Sequence, residues 1–213
     1  MNRLFNQESP VIRFLNGFAD LILVNVLLIV FSIPLVTSGA AITAALRITR
    51  DIMEDQAAHI MRTFWNAFRD NFKTSTLVWI PHSIILLGLS YNIYLFQFLL
   101  DESGYQKAVI LLAVLLVVMV GAGVYLYMLI ARFENTAIDH VKNALALFFH
   151  YLPLSILLAC LNALPVLLFV VSPYLFLETF VLWAGFGFAL IFLLDNLMLR
   201  SAFAALANRS EKQ

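Results

Sequence analysis

The sequence predicts an all-α fold, a polytopic transmembrane helical bundle with five or six spans arranged as three helical hairpins. Hydrophobic residues make up 62% of the chain and charged residues 12%, whereas soluble globular proteins are about half apolar and about a quarter charged. Several apolar runs also reach the roughly 20 residues that a helix needs to cross a bilayer. We therefore expect lipid to surround the chain and residues 1–213 to form a single transmembrane domain.

The first hairpin is predicted from an apolar run that breaks and then resumes. The run covers about 14–36 and is interrupted at Pro34, because a proline removes one backbone donor and clashes with the preceding turn. Residues 40–54 can resume as a helix with small residues on one side and with Arg47 and Arg50 on the other. We predict this stretch as a kinked return segment that faces protein rather than lipid.

Aromatic residues recur at three- and four-residue spacing over 57–73, opposite basic side chains, and so predict an amphipathic helix. Such a helix suits the headgroup plane of a membrane, and residues 132–150 have the same character. The turns between the later spans are predicted at 101–104 and 172–178. The later transmembrane spans are predicted at about 74–100, 108–131, 151–171 and 179–199.

The distribution of arginine and lysine predicts the topology, because these residues favour cytoplasmic loops. Residues 47–73 carry five of them and residues 132–142 carry two, whereas residues 172–178 carry none. With five spans the N-terminal arginines would lie outside the cell. Counting residues 40–54 as a sixth span places both termini in the cytoplasm, and we favour that count.

A weak internal repeat also indicates three hairpins. Residues 14–20 align with residues 64–70, and a fainter copy lies at 141–145. Each copy precedes an apolar span, a turn rich in Ser, Gly or Pro, and a returning apolar segment. The alternative is chance coincidence of Asn, Ala and Phe in so apolar a chain, since searches for repeats produce false positives.

Polar groups inside a membrane are costly and mark candidate functional positions. At the helix break, residues 32–43, freed carbonyls and hydroxyl groups could coordinate an ion or a hydroxylated solute, as broken helices do in transporters. The alternative is a structural bend whose small residues allow close helix packing. The candidate residues in and beside the break are Asn25, Ser32, Pro34, Thr37, Ser38, Gly39 and Thr43.

Asp195 and Asn196 form a second candidate position, in the last span. Because that span ends near Arg200, we expect them close to the cytoplasmic interface, where anchoring and ion pairing explain a charge. The alternative is proton relay by the aspartate. His82 beside Pro81 is a third candidate, since histidine titrates near neutrality.

Other classes of function are disfavoured by composition and by motifs. Thirteen basic and thirteen acidic residues cancel, which leaves no basic field for nucleic acid. A single cysteine, Cys160, excludes an intramolecular disulfide and a CxxC motif. We also find no Walker-type glycine loop, HExxH, GxSxG or Cys/His cluster. We therefore expect no enzyme activity, no catalytic or metal-binding residues and no cofactor.

Four segments together resemble the YesL family of bacterial membrane proteins. They are an opening Phe-Asn-Gln-Glu-Ser-Pro at 5–10, Phe-Ser-Ile-Pro-Leu-Val-Thr-Ser-Gly-Ala-Ala at 31–41, Phe-Trp-Asn-Ala-Phe-Arg-Asp-Asn-Phe-Lys at 64–73 and Ala-Arg-Phe-Glu-Asn-Thr at 131–136. The resemblance covers nearly the whole chain. It implies a bacterial plasma membrane protein of undefined biochemical function, from a family encoded beside sugar-uptake ABC transporters and their regulators. It supplies no ligand residues.

We therefore expect a non-enzymatic accessory or regulatory protein of the lipid bilayer, associated with carbohydrate uptake. An ABC sugar transporter or a sensor protein is the expected partner, contacted through the small-residue face at 39–45. The alternative is a small solute or ion transporter, or a channel, with its site at the helix break. A hydrated cavity reaching Asn25 and Thr37 favours transport, whereas a dry, tightly packed bend favours a scaffold. The sequence leaves the oligomeric state open.

Overall fold

The predicted all-α fold is confirmed by a computed structural model, which describes residues 10–99 and 105–210 and contains no strand within those ranges. The predicted turn at 101–104 and the polar lead before residue 10 lie outside the described residues. The helices are α1 (Pro10–Ser32), α2 (Ser38–Met53), α3 (Ile60–Tyr94), α4 (Gln106–Arg132), α5 (Ala137–His150), α6 (Leu152–Val171), α7 (Pro173–Glu178), α8 (Phe180–Leu182) and α9 (Phe188–Ser210). A 3₁₀ turn, Leu35–Thr37, joins α1 to α2, and π-helical turns occupy Leu95–Leu99 and Trp183–Gly187.

Five helices are long and apolar enough to cross a membrane. They are Ile12–Ser32, Ile60–Gln97, Gln106–Arg132, Leu152–Val171 and Phe180–Ala204. The sixth predicted segment is α2, whose 16 residues give a length of about 24 Å against a hydrocarbon core of about 30 Å. The protein is therefore an integral membrane protein by the length and composition of five helices, with a shorter sixth helix enclosed among them.

Helix α2 lies at the centre of the bundle. It packs against α1, α3, α4 and α9, and 10 of its 16 residues are buried. The small residues of its N-terminal half allow this crowding. A Cβ atom on Gly39 would lie 2.5 Å from the Cβ of Trp79 and 2.9 Å from the carbonyl oxygen of Ser75. Glycine at this position therefore sets the distance between α2 and α3.

The predicted division between an interfacial helix at 57–73 and a span at 74–100 does not exist in the structure. Helix α3 runs without interruption from Ile60 to Tyr94, because no proline or glycine occurs in it before Pro81. The aromatic face that suggested a headgroup position is partly core. Phe64 and Phe68 are buried, and both rings contact Phe31 of α1.

A second core surrounds the C-terminal half of α4, in which every residue from Gly121 to Ile130 is buried. This half packs against α5 and α6, and α5 is a separate amphipathic helix capped by the Thr136 hydroxyl. The first two predicted hairpins are packed pairs, α1 with α2 and α3 with α4. The third pair is open, since α6 packs mainly on α4 whereas α9 packs mainly on α2.

Several basic residues of the described ranges gather at one end of the bundle. Arg13, near the start of α1, is 3.5 Å from Asp55, which follows α2. The chain therefore leaves this end in α1 and returns to it in α2. Arg47, Arg50 and Arg132 line one cavity there. We name this the arginine-rich end.

Candidate functional site

The helix break is closed by side-chain hydrogen bonds. Side chains donate to the carbonyl oxygens of the break, of which those of Pro34 and Leu35 also accept from the backbone N–H groups of Thr37 and Ser38. The Thr37 hydroxyl donates to the carbonyls of Phe31 and Pro34, and the Ser38 hydroxyl donates to Ser32 over 3.3 Å. The Trp79 indole donates to the carbonyl of Leu35 over 2.7 Å. These bonds use the acceptors that a bound solute would need.

The inner side of the break is tightly packed. Thr43 is fully buried, and its hydroxyl donates to the Gly39 carbonyl over 2.9 Å and lies 2.9 Å from the Ser75 hydroxyl. Pro34 and its neighbours on the outer side are exposed to the membrane surroundings. The break therefore has the geometry of a dry structural bend.

The small-residue face at 39–45 cannot contact a partner protein, so that expectation is wrong. Ala40, Ala41, Ala44 and Ala45 are all 0% exposed. They lie within the core that α2 shares with α1 and α3. The physical reason is that small side chains let α2 sit between its own neighbouring helices, which leaves no surface for another chain.

Asn25 fastens α1 to the last helical segment, remote in sequence. Its side-chain amide donates to the carbonyls of Trp183 over 2.9 Å and of Ala184 over 2.8 Å. Its side-chain oxygen accepts from the backbone N–H of Ala189 over 3.0 Å. Those groups belong to the π-helical turn and the start of α9, where the regular helical bonding is interrupted. Asn25 thus bonds directly to the backbone of the π-helical turn and of the first residues of α9.

Asp195 and Asn196 are both 1% exposed and lie in the bundle rather than at an exposed interface. Both oxygens of Asp195 accept from the Asn162 amide of α6, at 3.1 and 3.0 Å. Ion pairing is one expected role of this carboxylate, but Arg200 is exposed and no ion pair within the described ranges includes Asp195. A hydrogen bond between neutral and acidic side chains holds α6 to α9 instead.

Asn196 joins three helices. Its amide donates over 3.0 Å to the Leu46 carbonyl and to the Thr49 hydroxyl of α2, and its oxygen accepts from Arg132 of α4 over 2.7 Å. The Arg132 guanidinium also lies 4.3 Å above the ring of Phe203. Asn196 is therefore a connecting residue between the bundle centre and the arginine-rich end.

A polar cavity of about 440 Å³ opens at the arginine-rich end, between the ends of α2 and α4, the side of α3 and the start of α5. The sequence did not predict it. Its charged and polar lining comes from four separate parts of the chain. These residues are Arg47, Arg50, Asp70, Asn71, Thr74, Arg132, Glu134, Asn135 and His140.

Two lining groups of the polar cavity are buried and have no hydrogen-bond partner in the part of the chain that the structure describes. They are the Nε of Arg50 and the Nδ1 of His140, and the whole His140 residue is 1% exposed. Burial lowers the pKa of His140, an effect that the neighbouring Asp139 carboxylate partly offsets. His140 therefore faces the cavity as a neutral ring at pH 7.

An apolar cavity of about 540 Å³ lies between α3, α4 and α5. His82 lines it, with its Nδ1 2.9 Å from the Tyr127 hydroxyl and its Nε2 3.2 Å from the Met119 carbonyl. Both ring nitrogens are thus engaged within the bundle. A Cβ atom on Gly123 would lie 2.6 Å from this ring, so the glycine makes room for it.

One signal in the sequence could have located the polar cavity. The segments at 64–73 and 131–136 were singled out for a family resemblance, and each contributes polar residues to its lining. Their positions at the ends of antiparallel helices bring them together at one end of the bundle.

The comparisons with known proteins leave the function open. Residues 21–93 match a family described as a protein of unknown function, DUF624. The match covers the second half of α1, all of α2 and nearly all of α3. The chain matches no curated protein and no solved structure.

Proposed function

We propose that this protein is a non-enzymatic accessory or regulatory component of a bacterial plasma membrane, associated with carbohydrate uptake. The observation that carries the accessory role is the closed helix break, where Thr37, Ser38 and Trp79 donate to the freed carbonyls. A solute-binding site at the break would need carbonyl oxygens free to accept hydrogen bonds and a cavity beside them. The association with carbohydrate uptake is supported by the YesL resemblance alone.

In this proposal α2 is a structural centre and the partner, an ABC sugar transporter or a sensor protein, contacts the outside of the bundle. The outer surfaces of the spans carry many exposed apolar residues, including Val170 and Val181, which are more than 70% exposed. Both termini face the cytoplasm, as the basic residues of the arginine-rich end favour that side of the membrane.

Purification from native membranes in mild detergent tests the proposal. We expect a permease or a membrane sensor to co-purify with the tagged chain and to be absent from a matched preparation of an unrelated five-span protein. Recovery of the chain without such a protein, from several mild detergents and after cross-linking, contradicts the accessory role.

A small transporter is the second candidate, and Asp195 is the observation that favours it. An acidic side chain buried between spans, bonded to an amide and to no cation in the described ranges, resembles a proton-relay position. This candidate is tested by measuring solute or ion flux into proteoliposomes that contain the wild-type protein or the variants Asp195→Asn, Asn25→Ala and Thr37→Val. Flux that only Asp195→Asn abolishes supports transport away from the break, and flux equal to that of protein-free liposomes excludes it.

A further inference from the structure

Of the three buried side-chain atoms without a hydrogen-bond partner in the described residues, two belong to residues that line the polar cavity, and the third, the Thr76 hydroxyl of α3, does not. A buried polar group without a partner costs about 1–3 kcal/mol, so such groups are rare in native proteins. The Nε of Arg50 can only donate, and the Nδ1 of His140 lies in the same lining without a partner. The cavity wall therefore requires a polar occupant that accepts hydrogen bonds.

Three guanidinium groups against two carboxylates, those of Asp70 and Glu134, leave the lining with an excess of positive charge that favours an anion. Three guanidinium groups line the cavity, and within the described ranges only that of Arg50 forms an ion pair, with Asp51 at 3.2 Å. Arg132 bonds the neutral amide of Asn196, and Arg47 has no hydrogen bond or ion pair in the described part of the chain. Guanidinium groups bind phosphate and carboxylate oxygens through paired hydrogen bonds.

The size of the cavity allows an occupant larger than an inorganic ion. A volume of about 440 Å³ equals the space of roughly 15 waters at about 30 Å³ each and lies in the range of small-molecule sites. The remaining polar lining is suited to hydroxyl groups, which donate to carboxylates and exchange hydrogen bonds with amides. Asp70, Asn71, Thr74, Glu134 and Asn135 supply these groups.

We propose that the polar cavity binds a phosphate ester that also carries free hydroxyl groups. The guanidinium groups of Arg47, Arg50 and Arg132 bind the phosphate, and the acidic and amide side chains of α3 and of the loop after α4 bind the hydroxyls. Two sources supply this chemistry, a soluble sugar phosphate and a phospholipid headgroup such as that of phosphatidylglycerol. Binding at this site is independent of any partner protein, so partner recovery and ligand binding succeed or fail separately.

The test is isothermal titration of the purified full chain in detergent. Glucose 6-phosphate, glucose and inorganic phosphate form one arm, and short-chain phosphatidylglycerol and phosphatidylcholine form the other. We expect one phosphate ester to bind and its uncharged or zwitterionic counterpart to bind at least about tenfold more weakly, which equals about 1.4 kcal/mol. Saturation by glucose 6-phosphate assigns the soluble source, and saturation by phosphatidylglycerol alone assigns the lipid.

The variant Arg47→Gln identifies the cavity as the binding site. Its side chain bonds nothing else in the described ranges, so the substitution leaves no protein group unpaired. We expect about tenfold weaker binding, with no change for Arg62→Gln, which alters an exposed arginine of α3 outside the cavity.

The variant Glu134→Gln tests the hydroxyl-binding part of the site separately from the phosphate-binding part. It should weaken the binding of glucose 6-phosphate, or of phosphatidylglycerol, more than the binding of inorganic phosphate. Thermal unfolding without ligand shows that each variant is folded. The proposal is overturned if neither phosphate ester binds, if glucose binds as tightly as glucose 6-phosphate, or if Arg47→Gln and Arg62→Gln have equal effects.

Discussion

The two ends of α2 differ in whether the polar groups around them are hydrogen-bonded. At the helix break the hydroxyls and the Trp79 indole satisfy the carbonyls that the turn exposes. At the arginine-rich end the Nε of Arg50 and the Nδ1 of His140 are buried without partners beside a cavity. The polar groups at one end of α2 have hydrogen-bond partners within the protein, whereas two buried groups at the other end have none among the described residues.

This difference shows which end can bind something. Inside a membrane an unpaired backbone group costs several kcal/mol, so a helix break must be closed by protein or filled by a ligand. The break in this chain is closed, although its proline and hydroxyl pattern is typical of transporter sites. The signal for a ligand is a buried polar group without a partner beside a cavity, and within the described residues Arg50 and His140 provide it at the arginine-rich end.

Gly39→Val should have the largest effect on the closed end. Its side chain would overlap Trp79 and the Ser75 carbonyl, so α2 and α3 must separate. We expect a loss of about 3 kcal/mol in the free energy of unfolding, measured by SDS titration in mixed micelles. Gly88→Val is the matched control, since nothing lies within 4 Å of a Cβ there. Equal losses for the two variants refute close packing at Gly39.

Asn25→Ala should have the next largest effect. It leaves the carbonyls of Trp183 and Ala184 and the N–H of Ala189 without their side-chain partner. We expect a loss of about 2 kcal/mol in the same titration, because buried groups left unpaired carry a desolvation cost. Asn16→Ala, on the exposed face of α1, should change little. A loss below that of Asn16→Ala means that the π-helical turn satisfies itself.

His140→Gln should change the pH dependence of stability, which tests the arginine-rich end of the comparison. Burial lowers the pKa of His140 below its ordinary value, so the unfolded chain binds a proton more readily than the folded one. The contribution of the neutral His140 ring to the free energy of unfolding is therefore fully present above about pH 6.5. It is lost as the pH falls towards the lowered pKa of the folded protein.

The charged groups around His140 are Arg47, Arg50, Arg132, Asp70, Glu134 and Asp139. We expect the wild-type melting temperature to fall between pH 7 and pH 5 more than that of His140→Gln. His150→Gln, which changes an exposed histidine of the same helix, should keep the wild-type dependence. Identical pH profiles for all three proteins rule out a buried neutral His140.

Thr37→Val should have the smallest effect. It removes the hydroxyl that donates to the Phe31 and Pro34 carbonyls on the partly exposed side of the break. We expect a loss of about 0.6 kcal/mol, the average for a side-chain hydrogen bond in a membrane protein, in the SDS titration. A loss larger than that of Asn25→Ala would show that the Thr37 hydrogen bonds stabilise the protein more than those of Asn25.

The sequence predicted the spans well because their signal is local. Apolar length alone defines α4, α6 and the other long helices, and Pro34 marks the turn between α1 and α2. The end of an interfacial helix at residue 73 was predicted from polarity, although no residue there stops a helix. The partners of Asn25 and Asp195 depend on contacts between residues remote in sequence, which periodicity does not report.

The polar cavity was not predictable for the same reason. Arg50, Asp70, Arg132 and His140 each have an ordinary local explanation, as the basic or acidic residue near the end of an amphipathic helix. Only the packing of four chain segments shows that they surround one space. The sequence could indicate the sign of charge at this end of the bundle and not the presence of a cavity.

The length of α3 fixes the depth of the cavity in the membrane. Its 35 residues extend about 52 Å, against a hydrocarbon core of about 30 Å, so a large part of the helix stands outside the acyl chains. The charged first part, which includes Arg62, Arg69, Asp70 and Lys73, is the part that must emerge into the headgroups and water. We therefore expect the cavity beside Asp70 and Thr74 to be level with the lipid phosphates, within reach both of molecules in the aqueous phase and of the bilayer's own headgroups.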